Sequence, residues 1–176
     1  MRFGKLMNVG ARKAIVVTAI ATLLLAACGV DSPGEGGNVE STITLADAAR
    51  KVDVYAEQAR QALGADVKFI NPYKDYDFPC SNADGSPSKN RREATVDYRL
   101  EGVASDQIPV FFQKIRVHWE KTGFAITDDD KKGSFLAAKN NVDGFKMGMQ
   151  ANHLNEISLS VSSPCVWRNG TPEPNS

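Results

Sequence analysis

Apolar residues recur along this chain in three rhythms, and each rhythm predicts a different kind of element. Residues 14–27 form one unbroken apolar run without a charge, whereas residues 29–41 (GVDSPGEGGNVES) hold almost nothing that could be buried. Leu45, Ala49, Val52, Ala56, Ala59 and Leu63 then follow at spacings of four and three, the narrow stripe of an amphipathic helix. Thr44 is placed as its N-cap with Asp47 at N3, and Gly64 stands where a left-handed C-terminal residue belongs. A stripe this small predicts packing on a sheet rather than a partner-helix or membrane-surface role. Ile108, Phe112, Ile115 and Trp119, with Phe111 beside them, mark a second helix. Ser105 or Asp106 opens it, Pro109 is tolerated in its first turn and Gly123 ends it.

Alternation with a period of two predicts the strands. In 95–101, Val96, Tyr98 and Leu100 face inwards against Asp97, Arg99 and Glu101. In 142–150, Phe145, Met147 and Met149 alternate with Lys146, Gly148 and Gln150, and in 156–162 Ile157, Leu159 and Val161 alternate with three serines. Shorter candidates lie at 67–70, 124–127 and 134–138, with turns at 128–133, 140–141 and 152–155. Two helices and five to six strands predict an α+β domain over 43–168, an antiparallel sheet with both helices on one face. The polar face is read as solvated; alternatively its serines and Gly148 floor a shallow groove beneath residues 73–78. The tail at 169–176 is polar and predicted to be disordered.

Residues 71–92 carry no period and are punctuated by Pro72, Pro79, Gly85 and Pro87, which predicts a long loop. A loop of that length in a compact domain is either functional or tied down. It holds Tyr73, Tyr76 and Phe78 among charges, and it holds Cys80.

The apolar run changes meaning once its flanks are included. Arg2, Lys5, Arg12 and Lys13 precede it, and its roughly 21 Å of helix falls short of the roughly 30 Å hydrocarbon core, so it reads as a signal-peptide core over residues 1–27. Leu25, Ala26, Ala27 and Cys28 match a lipobox, which makes Cys28 the expected lipid-attachment site and the membrane the first expected partner. Two or three acyl chains hold firmly where one holds reversibly. Residues 28–42 would then be a flexible tether reaching some 20 Å, and the protein is expected at the extracytoplasmic face of the cell membrane. The alternative is an unmodified cysteine in a simple secretory leader.

Setting those four basic residues aside leaves 17 basic against 21 acidic residues, a net charge of −4. That balance gains nothing from phosphate neutralisation, so no nucleic-acid partner is expected. With Cys28 lipidated, Cys80 and Cys165 remain as an even pair in an oxidising compartment and are expected to form a disulfide. Two free or metal-binding thiols are the alternative, although neither cysteine has a CxxC or Cys-His neighbour.

Catalytic chemistry has little to stand on. His118 and His153 are the only histidines, no phosphate-cradling glycine motif occurs, and no serine sits in a sharp glycine-flanked turn. Asp75, Asp77 and Asp128 to Asp130 lack the alternation and central glycine of an EF-hand loop. No cofactor and no metal are expected.

The segments HWEKTGF at 118–124, DGF at 143–145 and SSPCVW at 162–167 resemble the small single-domain lipoproteins exported by actinobacteria. These carry a lipobox, a polar tether, an early helix and a last strand ending in Ser-Pro-Cys. The resemblance spans 41–167 and implies anchoring and fold while transferring no catalytic residue. At the level of fold alone the chain also resembles helix-over-sheet accessory lipoproteins of envelope assembly complexes. The expected function is therefore a non-enzymatic binding or interaction module for an envelope protein or a small ligand. Tyr73, Tyr76, Phe78 and Trp167 are its expected contacts, unless they fill a local satellite core. A structural accessory subunit of an envelope or secretion complex is the alternative, and a hydrolase has the least support.

Overall fold

Thr44 opens the first helix by a reciprocal cap: its Oγ1 accepts from the Asp47 amide at 3.1 Å and donates to Asp47 Oδ2 at 2.6 Å. Helix α1 runs Leu45–Leu63 and stops at Gly64, whose φ of 105° suits a residue without a Cβ. It buries Ala48, Val52, Ala56, Ala59 and Leu63, so its inner face begins at Ala48 rather than at the expected Ala49. Helix α2, Ile108–Lys121, follows a 3₁₀ turn at Ser105–Gln107 and buries the expected Ile108, Phe112, Ile115 and Trp119. The computed structural model describes residues 41–130 and 133–172, which belong to one unit, Asn38–Ser176. Residues 1–40, with the expected signal peptide, Cys28 and most of the tether, and residues 173–176 of the expected tail lie outside the described residues.

The strands are β1 (Lys68–Ser81), β2 (Pro87–Glu101), β3 (Phe124–Asp129), β4 (Phe135–Asn140), β5 (Lys146–Ala151), β6 (Ile157–Ser162) and β7 (Val166–Trp167). They form one seven-stranded antiparallel sheet in the order β1-β2-β6-β5-β4-β3, with β7 on β2, and the domain is α+β as the periodicities predict. The core lies between the helices and one sheet face. Val96, Leu136, Met147, Met149, Leu159 and Val161 meet Val52, Ile115, Phe112 and Trp119 there.

The expected loop at 71–92 is not a loop. It is the greater part of a β-hairpin with arms of 14 and 15 residues, turning at the Asp84-Gly85 pair, where Gly85 has a φ of 83°. Register shifts fall between Ile70 and Tyr73, Asp75 and Phe78, and Pro79 and Ser81. Each shift resets the alternation, which erases the period of two from the sequence. As an edge strand, β1 also tolerates Pro72 and Pro79, which would interrupt the hydrogen bonding of a central strand.

The three resemblance segments sit at joints. In 118–124, Trp119 is fully buried, Thr122 returns its hydroxyl to the His118 carbonyl at 2.8 Å, and Gly123 leads into the buried Phe124. In 162–167, the fully buried Ser163 exchanges two bonds with Ala94, its Oγ accepting from the Ala94 amide and its own amide donating to the Ala94 carbonyl, each at 2.9 Å. Pro164 then interrupts the ladder before β7 resumes on β2. Beyond Trp167 the chain remains held through Gly170, whose carbonyl accepts from the Thr42 amide at 2.8 Å, while the Arg168 carbonyl accepts from Leu45 at 3.1 Å.

The middle segment, 143–145, ties α1 to the β4–β5 turn. Asp143 Oδ2 accepts from Tyr55 Oη at 2.6 Å and pairs with Lys51 Nζ at 2.6 Å, while Oδ1 accepts from the Phe145 amide at 3.2 Å. Burial alone would raise the Asp143 carboxyl, but the bonds from Lys51, Tyr55 and Phe145 outweigh it and hold the group below the usual carboxylate value. A carboxyl lowered on folding adds stability above its unfolded value and loses it as pH falls through the folded one. Asp143→Asn is therefore expected to cost about 1–3 kcal/mol at pH 7. The gap to the native chain should narrow below roughly pH 4, and urea unfolding at pH 7 and pH 3 would check both signs.

Candidate functional site

Pairing register decides which side of the sheet each residue occupies, because residues directly opposite on neighbouring strands share a face. Across the middle of the side away from the core runs the row Tyr73, Asp97, Ser160, Gly148, Ala137 and Asp128. One step along the strands lies the row Asp75, Thr95, Ser162, Lys146, Lys139 and Ala125, and on the other side lie Ile70, Arg99, Ser158, Gln150 and Phe135. The centre of this open face is built from small side chains. Gly148 has a structural reason to be glycine, since a Cβ there would come within 2.9 Å of Ser160 Oγ.

The expected contact residues divide between the two sides. Tyr73 opposite Asp97, Phe78 opposite Glu93 and Trp167 opposite Arg91 all fall on the open side, where Tyr73 and Phe78 are 59% and 50% exposed. The Arg91 guanidinium lies 5.9 Å from the centre of the Trp167 ring. Tyr76 falls on the helix side instead. Its hydroxyl donates to Asp53 on α1 at 2.7 and 2.8 Å, and Lys74 Nζ reaches the same carboxylate at 2.7 Å. Hydrogen bonding of the Lys74 ammonium to Asp53 and Tyr76 pushes its pKa well above the usual value. Tyr76 is thus a structural tie between β1 and α1. The segment 73–78 lies in the plane of the sheet, so the floor of small residues has no roof from it.

A disulfide joins Cys80 to Cys165 with 6.1 Å between Cα atoms, and it fastens β1 to the segment between β6 and β7 across β2. A Glu93 carboxylate oxygen lies within 4.8 Å of both sulfurs. No family model, curated protein or solved structure matches this chain.

Asp97 stands out electrostatically. It is half-buried on β2 in the middle row of the open face, burial raises its carboxyl, and it has no hydrogen-bond or ion-pair partner among the described residues. Lys139 and Lys146, directly opposite one another, likewise have no acidic partner among the described residues. Of the other acids noted in the sequence, Asp128 is exposed on β3 without a partner among the described residues, and the rest serve structural purposes. Asp77 pairs with Arg92 and Arg168, Asp129 with Arg116, and Asp130 accepts from Ser134. Asn140 and Ser163 are buried polar residues, and both bond to backbone at turns. His118 is partly buried, which lowers its pKa, and His153 sits in an exposed turn.

Two further concavities lie on the helix side. The first, about 320 Å³ between α1 and the hairpin, is lined by Asp53, Glu57, Arg60, Phe69, Lys74 and Tyr98. Its charges are paired within it as Lys74 with Asp53 and Arg60 with Glu57. The second, about 660 Å³, is a shallow apolar groove along the outer side of α2 past Pro109, Val110 and Val117. Sequence reasoning missed Asp97, Lys139 and Lys146, and the unbroken alternation of Val96, Tyr98 and Leu100 around Asp97 was the signal that could have found it.

Proposed function

We propose that this protein is a lipid-anchored extracytoplasmic lipoprotein acting as a non-enzymatic binding or interaction module, and that its open sheet face is the contact surface. The observation that carries this reading is the unpartnered, half-buried Asp97 opposite the exposed Tyr73, with Phe78 exposed further along the same strand, next to a floor of small side chains. Exposed aromatic rings with few rotatable bonds make effective anchors. A flat floor of serine, glycine and alanine suits a protein surface better than a small molecule, which ordinarily needs a concave site. The same flatness favours the second reading, an accessory subunit of an envelope or secretion complex.

Anchoring rests on the lipobox ending at Cys28 and on the polar stretch that follows it. Cys28→Ala is expected to move the protein from the membrane to the soluble fraction, or to leave an uncleaved precursor. Fractionation with intact mass measurement reads this out, and an unchanged, processed, membrane-bound product would overturn it.

A further inference from the structure

We infer that the partner of the open face is a second copy of this chain, packed sheet on sheet about a two-fold axis parallel to the strands. This inference rests on the proposed role of that face. Six strands lie in the order β1-β2-β6-β5-β4-β3, so such an axis passes between β6 and β5. It lays β2 of one copy over β4 of the other, and Ser160 over Gly148. An axis across the strands would instead set each strand over its own copy.

Charge selects the first arrangement. On the β1–β2 half the open face carries Asp75, Glu93 and Asp97, while on the other half it carries Lys139 and Lys146 with one acid, the exposed Asp128 on the edge strand β3. Three cations of the first half already have neighbours on the same sheet: Arg99 is paired with Glu156 at 2.7 Å, Arg91 lies over Trp167, and Lys68 stands opposite Glu101. The proposed axis sets Lys139 over Thr95, with Glu93 and Asp97 on either side of it along the strand. Two lysines directly opposite one another are unfavourable in an isolated sheet, and so is an unpaired half-buried carboxylate. The pairing relieves both at once.

Shape and area agree with the charges. Ser158, Ser160, Ser162, Gly148 and Ala137 let two sheets approach closely, while Tyr73 and Phe78 flank that floor. Six strands span about 29 Å, and six residues of strand about 20 Å, so the two copies together would bury roughly 1,200 Å², the lower end of stable interfaces. The twist of each sheet would set the strands of the two copies about 30° apart.

The test is a photo-crosslinking phenylalanine analogue in place of the exposed Tyr73, at the edge of the small-residue floor, in the full chain, irradiated in native membranes. An adduct of twice the chain mass is expected. Lys139→Glu should reduce it about tenfold, and adding Asp97→Lys should restore it to within about threefold, because reversing both signs re-forms the pair across the axis. Thermal melting of both variants checks that these surface changes leave the fold intact. An adduct of another mass would overturn the second copy as partner while leaving the open face a contact surface. No adduct would overturn both readings, and a homodimer adduct insensitive to Lys139→Glu would overturn this arrangement of the two copies.

Discussion

Replacing Trp119 by alanine is expected to lower the unfolding free energy by about 3–5 kcal/mol, the range for deleting a fully buried indole. That is a large part of the roughly 5–15 kcal/mol available to a domain. Trp119 is 0% exposed and belongs to the core that α2 forms with the sheet, so truncation leaves a cavity against Ile115, Phe112 and their neighbours. The indole Nε1 has no acceptor among the described residues. Trp119→Phe, which keeps a ring and removes that unpaired donor, should therefore cost far less, about 1–2 kcal/mol. Urea unfolding of the two variants checks the ranking. Equal losses would mean that the nitrogen, not the ring volume, matters.

Opening the Cys80–Cys165 disulfide is the second large effect. The cysteines are 85 residues apart, and on chain-entropy grounds closing so long a loop is worth about 4–5 kcal/mol, with measured bridges falling in the range 2–5. Cys80→Ser together with Cys165→Ser avoids stranding one thiol. The loss should come with local opening, because β1 is an edge strand whose register is broken three times and β7 is held by two pairings to β2. Limited proteolysis is expected to cut the 82–86 turn faster in the double variant. Cleavage at an unchanged rate would show that the hairpin holds itself.

What could be read along the chain was whatever one helix or one strand expresses alone. Thr44 with Asp47 and Gly64 bound α1, and Ile108, Phe112, Ile115 and Trp119 describe the buried side of α2. Ile157, Leu159 and Val161 identify a half-buried strand without any neighbour. The pairing of Cys80 with Cys165 follows from parity once Cys28 is assigned to lipid. The β1 arm escaped because a bulge inserts one residue and inverts every side chain beyond it, so that a strand with three shifts spells no alternation. Tyr76 and Tyr73 illustrate the consequence. Three positions apart and read as equal contacts, they fall on opposite sides of the sheet, one tied to Asp53 and the other exposed beside Asp97.

The sequence by itself determined the two helices, the alternating strands, the α+β class and the candidate anchor at Cys28, since periodicity, capping and the lipobox are local properties of neighbouring residues. Only the tertiary structure decided the long hairpin, the order of the strands and the collection of Asp97, Lys139, Lys146 and the exposed aromatics on one face. These depend on register between distant segments, as between Asp75 and Ser162, which both pair with Thr95 on β2, or between Tyr55 and Asp143, 88 residues apart and joined through one carboxylate. No single stretch of chain encodes such a register, because it is fixed by the burial that all of the strands achieve together.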